Sequence, residues 1–318
     1  MMWAVIILGV AALWFWTTQP LFGRQAAFEQ GPSVDPERLE AHVRALAEEM
    51  VPRDSGHPEN LRRAAEYIRR EFDRTKGEVT GIDYQIGGRE YSIVSLLLGP
   101  QTQERIVIGA HYDSPPGSPG ADDNASGVAG LVELAHALSS ARLPMAVELV
   151  AYPVEEPPFY RTQAMGSFVH ASSLRRRGVR VRLMVCLEMI GYFNDGPFTQ
   201  SYPFPLFRLT YPWRANYIAV VARLREGRIT RRFKRAMRAA CSVPVFSFNG
   251  PSLVPGVDLS DHLNYWKMGF RAVMVTDTSF YRYDHYHGPG DVAANLDYGR
   301  MAEVVRGLYG AVLDTAKR

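Results

Sequence analysis

The sequence predicts an α/β fold: three layers, α/β/α, around a mostly parallel central sheet, preceded by an N-terminal membrane helix. Three observations point there. Short continuous apolar runs alternate with amphipathic helical stretches over residues 35–318, the pattern of strands covered on both faces. Polar residues recur where those runs end, and in open parallel sheets ligands bind beyond the carboxyl ends of the strands. The opening stretch "MMWAVIILGVAALWFWTTQPLFG" has no charged side chain before Arg24.

That opening stretch comes first in the chain. Its strongest apolar part is about 16 residues, a little short of the ~20 that span a bilayer, and the neutral tail extends it. Trp14 and Trp16 suit an aromatic belt at the membrane surface. A cleaved signal peptide would show a basic start and a small-x-small cleavage site, and neither is clear. Residues 1–19 are therefore expected to form a single-pass anchor, 20–34 a linker and 35–318 one folded domain on the periplasmic or extracellular side. "DPERLEAHVRALAEEM" is a helix capped by Asp35, with Pro36 at its first position. "HPENLRRAAEYIRREFDRT" is a second helix, ending near Gly77. "YSIVSLLLG" and "RIVIGA" read as strands. "ASGVAGLVELAHALSSA" is a helix, "AVELVAYP" and "RLMVCLEMIG" are strands, "RITRRFKRAMR" is a helix, "RAVMVTD" is a strand, and residues 296–317 form a long final helix.

Composition narrows the function classes. Apolar residues make up 47% of the 318-residue chain and charged residues 22%, enough for a full core. The net charge is +3, and no zinc-finger, RNP or helix-turn-helix signature appears, so no nucleic-acid partner is expected. The basic stretches "LRRRGVRVR" and "RITRRFKRAMR" read as solvated faces, with anionic lipid or a partner as the rival reading. The two cysteines, Cys186 and Cys241, allow neither a disulfide framework nor a Cys-rich zinc site. Any metal must be held by His and carboxylates.

The strand ends supply that set. "RIVIGA" runs into His111 and Asp113, "AVELVAYP" into Glu155 and Glu156, "RLMVCL" into Glu188, and "RAVMVTD" towards His285 and His287. Asp122 and Asp123 lie in "PGADDNASG", just before a helix. A polar residue at one strand end is ordinary. Gathering this many carboxylates at one edge is costly unless cations compensate them. Imidazole and carboxylate are the zinc ligands expected where no thiolate is present. The set suffices for two metals about 3.5–4 Å apart, which need a bridging carboxylate; an Asp held at the "ADDNASG" turn can bridge through its two oxygens. Asp113, two residues after His111, shares its side of an extended chain and can hold the imidazole. Of the adjacent pair Glu155 and Glu156, one can ligate a metal. The other can take a proton from an attacking water and pass it to a leaving amine.

The ordered motifs "GAHYDS", "GADDNASG", "VEEPP", "LEMIGY", "LSDH" and "FYRYDHYHGPGD" over residues 100–310 resemble the co-catalytic zinc peptidases. That family contains bacterial leucyl-type aminopeptidases, glutamate carboxypeptidases and zinc glutaminyl cyclases. The resemblance implies two Zn2+: His111, Asp123 and Glu188 on one, and Asp123, Glu156 and His287 on the other, with Asp123 bridging. It implies Glu155 as general acid/base, a cis peptide after Asp123, and Tyr286 as a candidate to stabilise the oxyanion. His285 and His262 remain hydrogen-bonding loop residues. Glu188 stands where many aminopeptidases have Asp, and "EEPPFYRT" departs from their "EE-Gly-Leu" style. Asn124-Ala125-Ser126 also matches a glycosylation sequon, inside a metal loop. The expected function is a membrane-anchored di-zinc exopeptidase, an aminopeptidase acting on peptides with a free terminus. One rival is a single-zinc glutaminyl-peptide cyclotransferase; the other is an inactive ectodomain that binds a partner. Arg161 and Arg282 are the residues that could grip a substrate carboxylate. Oligomeric state is not legible.

Overall fold

The computed structural model describes residues 2–21 and 31–317; residues 22–30 of the expected linker lie outside the described residues. Helices α1 (Met2–Thr18), α2 (Pro36–Arg44) and α3 (Pro58–Asp73) precede strands β1 (Glu78–Ile86), β2 (Arg89–Leu98) and β3 (Glu104–His111). Then follow α4 (Gly127–Ser139), β4 (Ala146–Tyr152), α5 (Gly166–Arg176), β5 (Arg180–Glu188) and β6 (Ile218–Arg223). The chain closes with α6 (Gly227–Ala240), β7 (Val245–Gly250), α7 (His262–Lys267), β8 (Ala272–Thr276) and α8 (Tyr298–Ala316).

Local chemistry sets the helix starts. The Asp35 carboxylate accepts from the Glu37 backbone N–H at 2.9 Å, one of the donors a helix leaves free at its N-terminus, and Asp297 caps α8 in the same way from Arg300 at 2.9 Å. In α3, Leu61, Ala64, Ala65, Ile68 and Phe72 fall on one buried face at helical spacing.

The eight strands form one sheet in the order β1-β2-β4-β3-β5-β8-β6-β7. Its centre, β4-β3-β5-β8, is parallel, as is β6-β7, while β1-β2, β2-β4 and β8-β6 are antiparallel. Helices α2, α3, α4, α6 and α8 pack together on one face, and α5 and α7 on the other. The three layers and the mostly parallel sheet are those expected. Strands β1, β6 and β7 and helices α5 and α7 are additions. β1 is an edge strand of alternately exposed and half-buried residues, so no apolar run marks it.

The N-terminus departs from expectation. A helix forms there, but its 17 residues rise only about 26 Å, against roughly 30 Å of bilayer hydrocarbon. Among the described residues, no helix is long and apolar enough to cross a membrane. Nor does the chain swing free after α1. Gln19 is buried, and the Thr18 carbonyl accepts from Lys234 Nζ and from Ser247 Oγ, both at 2.8 Å.

Parallel register brings the functional residues level. His111 closes β3 opposite Tyr152 of β4, and Glu188 closes β5 opposite Thr276 of β8. All four strands deliver their next residues to the same edge.

Candidate metal centre

His111 is buried at the end of β3. Its Nε2 lies 3.5 Å from Asp123 Oδ1 and 3.3 Å from Glu188 Oε2. The other oxygen of Asp123, Oδ2, lies 3.2 Å from His287 Nε2, which is 3.6 Å from Glu156 Oε2. Two triads therefore share Asp123, one oxygen each. Most of these separations exceed a normal N–H···O hydrogen bond. They match the edges of a tetrahedron whose centre lies ~2.0–2.2 Å from each ligand, which are about 3.3–3.6 Å long. The ligand atoms of His111, Asp123 and Glu156 also lie within 4.8 Å of one another. The donor set of imidazole and carboxylate thus fits zinc, and the group that meets this mutual distance draws on both sides of Asp123. The longer side chain of Glu188, in place of Asp, does not keep it from His111.

Each residue is aimed by its surroundings. Asp113 does not simply face the ring of His111. Its Oδ1 is 3.4 Å from Nδ1, while its two oxygens accept from the backbone N–H groups of Glu155 and Glu156, both at 3.0 Å. One carboxylate thus ties β3 to the turn after β4. Val154, Met189 and His287 adopt left-handed backbone, with φ of 52°, 50° and 57°. This conformation costs a side-chain-bearing residue on the order of 1–3 kcal/mol and lets neighbouring side chains leave the strand ends in different directions.

The loop carrying Asp123 is held from three sides. Asp291 accepts from the backbone N–H groups of Asp122 (2.8 Å) and Asp123 (3.1 Å). Asn124 Nδ2 donates to Leu187 O at 2.9 Å, and its Oδ1 accepts from Met189 N at 3.1 Å, fixing the loop to the strand end that bears Glu188. The Asp123–Asn124 peptide is cis, as the resemblance implies. Gly120 starts the loop at φ 65°, and a Cβ there would sit 2.4 Å from Asp123 O. Asn124 is wholly buried, so the sequon match falls on a structural residue.

The third support comes from Arg53, which the sequence did not single out. Its guanidinium is fully buried and donates to Tyr112 O (2.6 Å), Gly120 O (2.9 Å), Pro119 O (3.2 Å) and Leu46 O. Burial pulls its pKa down to about 10, against the opposing pull of Asp113, Asp291 and Asp123, so it stays charged at neutral pH. Ser260 was missed too: its Oγ donates to Glu188 Oε2 at 2.6 Å, with the Cys186 thiol 3.1 Å behind it. The quoted motifs "LSDH" and "HGPGD" contain Ser260 and Asp291, but their bonds are not written in residue spacing. Burial raises the Cys186 thiol well above its usual range, and it is no ligand.

The centre is strongly anionic. Asp113, Asp123, Glu155, Glu156, Glu188 and Asp261 are all buried there. Burial pushes Glu155 well up, with His111 opposing and Glu188 adding. Burial pushes Glu156 up as well, with the charges of Asp123 and Glu155 adding. Asp123 moves the other way: burial opposes, but hydrogen bonding to His111 and His287 brings it down to about 2. Buried like charges at this density either take up protons or are balanced by cations. Tyr286 stacks on His287 with ring centroids 3.8 Å apart, and burial raises its phenol. His285 lies outside the triads. His262, expected in a loop, is instead buried as the first residue of α7, its Nε2 2.8 Å from Val257 O.

The sequence model of peptidase family M28 matches residues 93–312. The chain belongs to peptidase family M28. It is a metallopeptidase, and the buried His–Asp–Glu cluster lies inside the matched region. A protein of Escherichia coli (strain K12) described as uncharacterized, YfbL, is 46% identical over 281 residues, 86% of each chain. Leucine aminopeptidase 1 of Trichoderma harzianum is 26% identical over 239 residues, 71% of this M28 chain and 54% of that protein. The chain thus spans about half the length of that relative. Among solved structures, a zinc aminopeptidase from Bacillus subtilis aligns with TM-score 0.71 at 13% identity, over 90% of this chain and 96% of that one. A glutaminyl cyclase from Fimbriiglobus ruber aligns with TM-score 0.66 at 20% identity, over 92% and 99%. At these identities the structural likeness establishes the fold.

Proposed function

We propose that this M28 chain is a di-zinc aminopeptidase that removes large apolar residues from peptide N-termini. The carrying observation is the pair of triads sharing Asp123. In this reading His111, Asp123 and Glu188 hold one zinc, and Asp123, Glu156 and His287 hold the other. The bound ions would polarise the scissile carbonyl and acidify the attacking water. Glu155 moves the proton: its carboxylate accepts it from the attacking water and delivers it to the leaving amine. Asp113 orients Glu155 through that residue's backbone N–H. Tyr286, beside His287, faces the developing oxyanion.

Two features support an aminopeptidase over a carboxypeptidase. The anionic centre suits a substrate ammonium. The two arginines that could hold a carboxylate already bond protein groups, Arg282 with only its Nη2 left without a hydrogen-bond partner. Arg161 Nη2 donates to Asp258 at 2.8 Å. Arg282 is buried, with Nε donating to Gln200 Oε1 and Nη1 to Tyr217 O, both at 2.9 Å.

The residue preference rests on an apolar cavity that opens beside Glu188 and Tyr286. Ala219, Phe246, Phe248 and Met274 floor it from the sheet, and Tyr202 and Phe207 roof it. That aromatic and aliphatic lining suits a large apolar side chain. Amino acid released from Leu- and Phe-initiated peptides, and not from their N-acetylated forms, is the expected result. Pyroglutamate formed from Gln-initiated peptides without released amino acid would establish the cyclase instead. Ala219→Phe is expected to lower kcat/KM for Leu- and Phe-initiated peptides by roughly 10–200-fold, the range for apolar pocket changes, and to leave Ala-initiated peptides near wild type. Equal losses on all three would place the side chain elsewhere.

We further propose that α1 anchors the protein to a membrane. Its apolar sequence supports this, together with the exposure of Leu8, Leu13 and Trp16; thinning of the bilayer can absorb a mismatch of a few Å.

A further inference from the structure

The N-terminal helix does not hang from a tether. Thr18, its last residue, accepts from Lys234 of α6 and Ser247 of β7. The Arg231 guanidinium lies 5.0 Å from the Phe15 ring. A membrane that receives α1 must therefore lie against the surface around β7 and α6.

That surface is unusual in two ways. Segment 198–213, which crosses beside β7, exposes Phe198, Phe204, Leu206, Leu209 and Trp213, with Leu206 70% and Leu209 81% exposed. The segment is tied to β7 itself, since Tyr211 Oη donates to Ser247 O at 2.7 Å and Phe207 packs on Phe248 at 5.0 Å between ring centroids. A cluster of large apolar side chains held in the open marks an interaction surface. The second feature is charge. Residues 196–257 hold ten Lys and Arg but a single acid, Glu226, in a chain whose net charge is only +3. Arg208 and Arg214 flank the apolar cluster, and Arg228, Arg235 and Arg238 line the exposed side of α6. Apolar and aromatic side chains bordered by arginines are the composition of surfaces that settle into the headgroup region of anionic bilayers.

We propose that segment 198–213 is a second membrane contact, seated in the interface of an anionic bilayer beside α1, with the α6 arginines on the lipid headgroups. This rests on the anchor reading above and not on the catalytic one. It has a consequence for the active site. The inner side of the same segment, through Tyr202, Phe207 and Tyr211, roofs the substrate cavity. The lipid then backs the roof of the pocket, and the bilayer fixes which way the cavity opens.

The test uses the full chain reconstituted with vesicles of phosphatidylcholine containing phosphatidylglycerol. An environment-sensitive fluorophore is placed at Leu209→Cys or Leu206→Cys, in a Cys241→Ser background, and quenched with spin-labelled lipid. Both positions are highly exposed, so the substitutions spare the core. The reference position is Glu90→Cys on β2, next to the opposite edge strand of the sheet. Quenching at 209 and 206 is expected to exceed that at 90 several-fold, and to weaken when phosphatidylglycerol is omitted. Quenching at 209 and 206 no greater than at 90, in protein that floats with the vesicles, overturns the second contact while leaving the anchor intact. Protein that does not float with the vesicles overturns both.

Discussion

Glu155→Gln is expected to lower kcat for a Leu-initiated peptide by about 10²–10⁴-fold, the usual contribution of a positioned acid/base, with KM and bound zinc little changed. The amide keeps the shape of the side chain and leaves the backbone N–H of Glu155 on Asp113. It removes the one carboxylate of the Glu pair that belongs to neither triad, and so the acceptor for the proton of the attacking water. Folding stability should hold or rise, because one of several crowded buried carboxyls is neutralised. Steady-state kinetics with metal analysis checks this. Wild-type kcat would remove Glu155 from the chemistry, and loss of zinc would make it a ligand.

The Glu155–Glu156 pair is legible in the sequence because it follows an apolar run. The same signal marks His111 and Glu188, each the last residue of a buried strand. A polar side chain at the end of a run that must be buried stands out against its neighbours. Arg53 carries no such mark. Its partners are backbone carbonyls, which every residue possesses, and Tyr112 lies 59 positions further along the chain. The docking of α1 was hidden for the same reason: Lys234 reaches Thr18 across 216 positions. By themselves, residues 1–19 show only their apolar character and length. Asp113 lies near the His111 ring, and its bonds to the two Glu backbones depend on how β3 and β4 pair.

Arg53→Met carries the second large effect. The substitution keeps most of the packed volume but leaves up to four buried carbonyls without a donor and removes a cation from behind Asp113, Asp123 and Asp291. Breaking a buried charged cluster from one side typically costs ~3–5 kcal/mol, and we expect a loss of that size in denaturant unfolding. Zinc affinity should fall with it, by roughly 10–100-fold, as when other supports of metal ligands are removed. Two of the clamped carbonyls belong to Tyr112, between His111 and Asp113, and to Gly120, which begins the loop of Asp123. Arg53→Lys retains the charge but not the fork of donors and should fall between the two. Wild-type stability in Arg53→Met would show that water can replace the guanidinium.

The central claim is that Asp123 joins two metal positions. Zinc content per chain, measured on the full-length protein after zinc-replete preparation and removal of loosely held ions, tests it most directly. The account predicts about two zinc ions per chain, the number a shared carboxylate between two triads accommodates. One zinc per chain, unchanged as free zinc is raised, would contradict it and leave Asp123 serving a single metal.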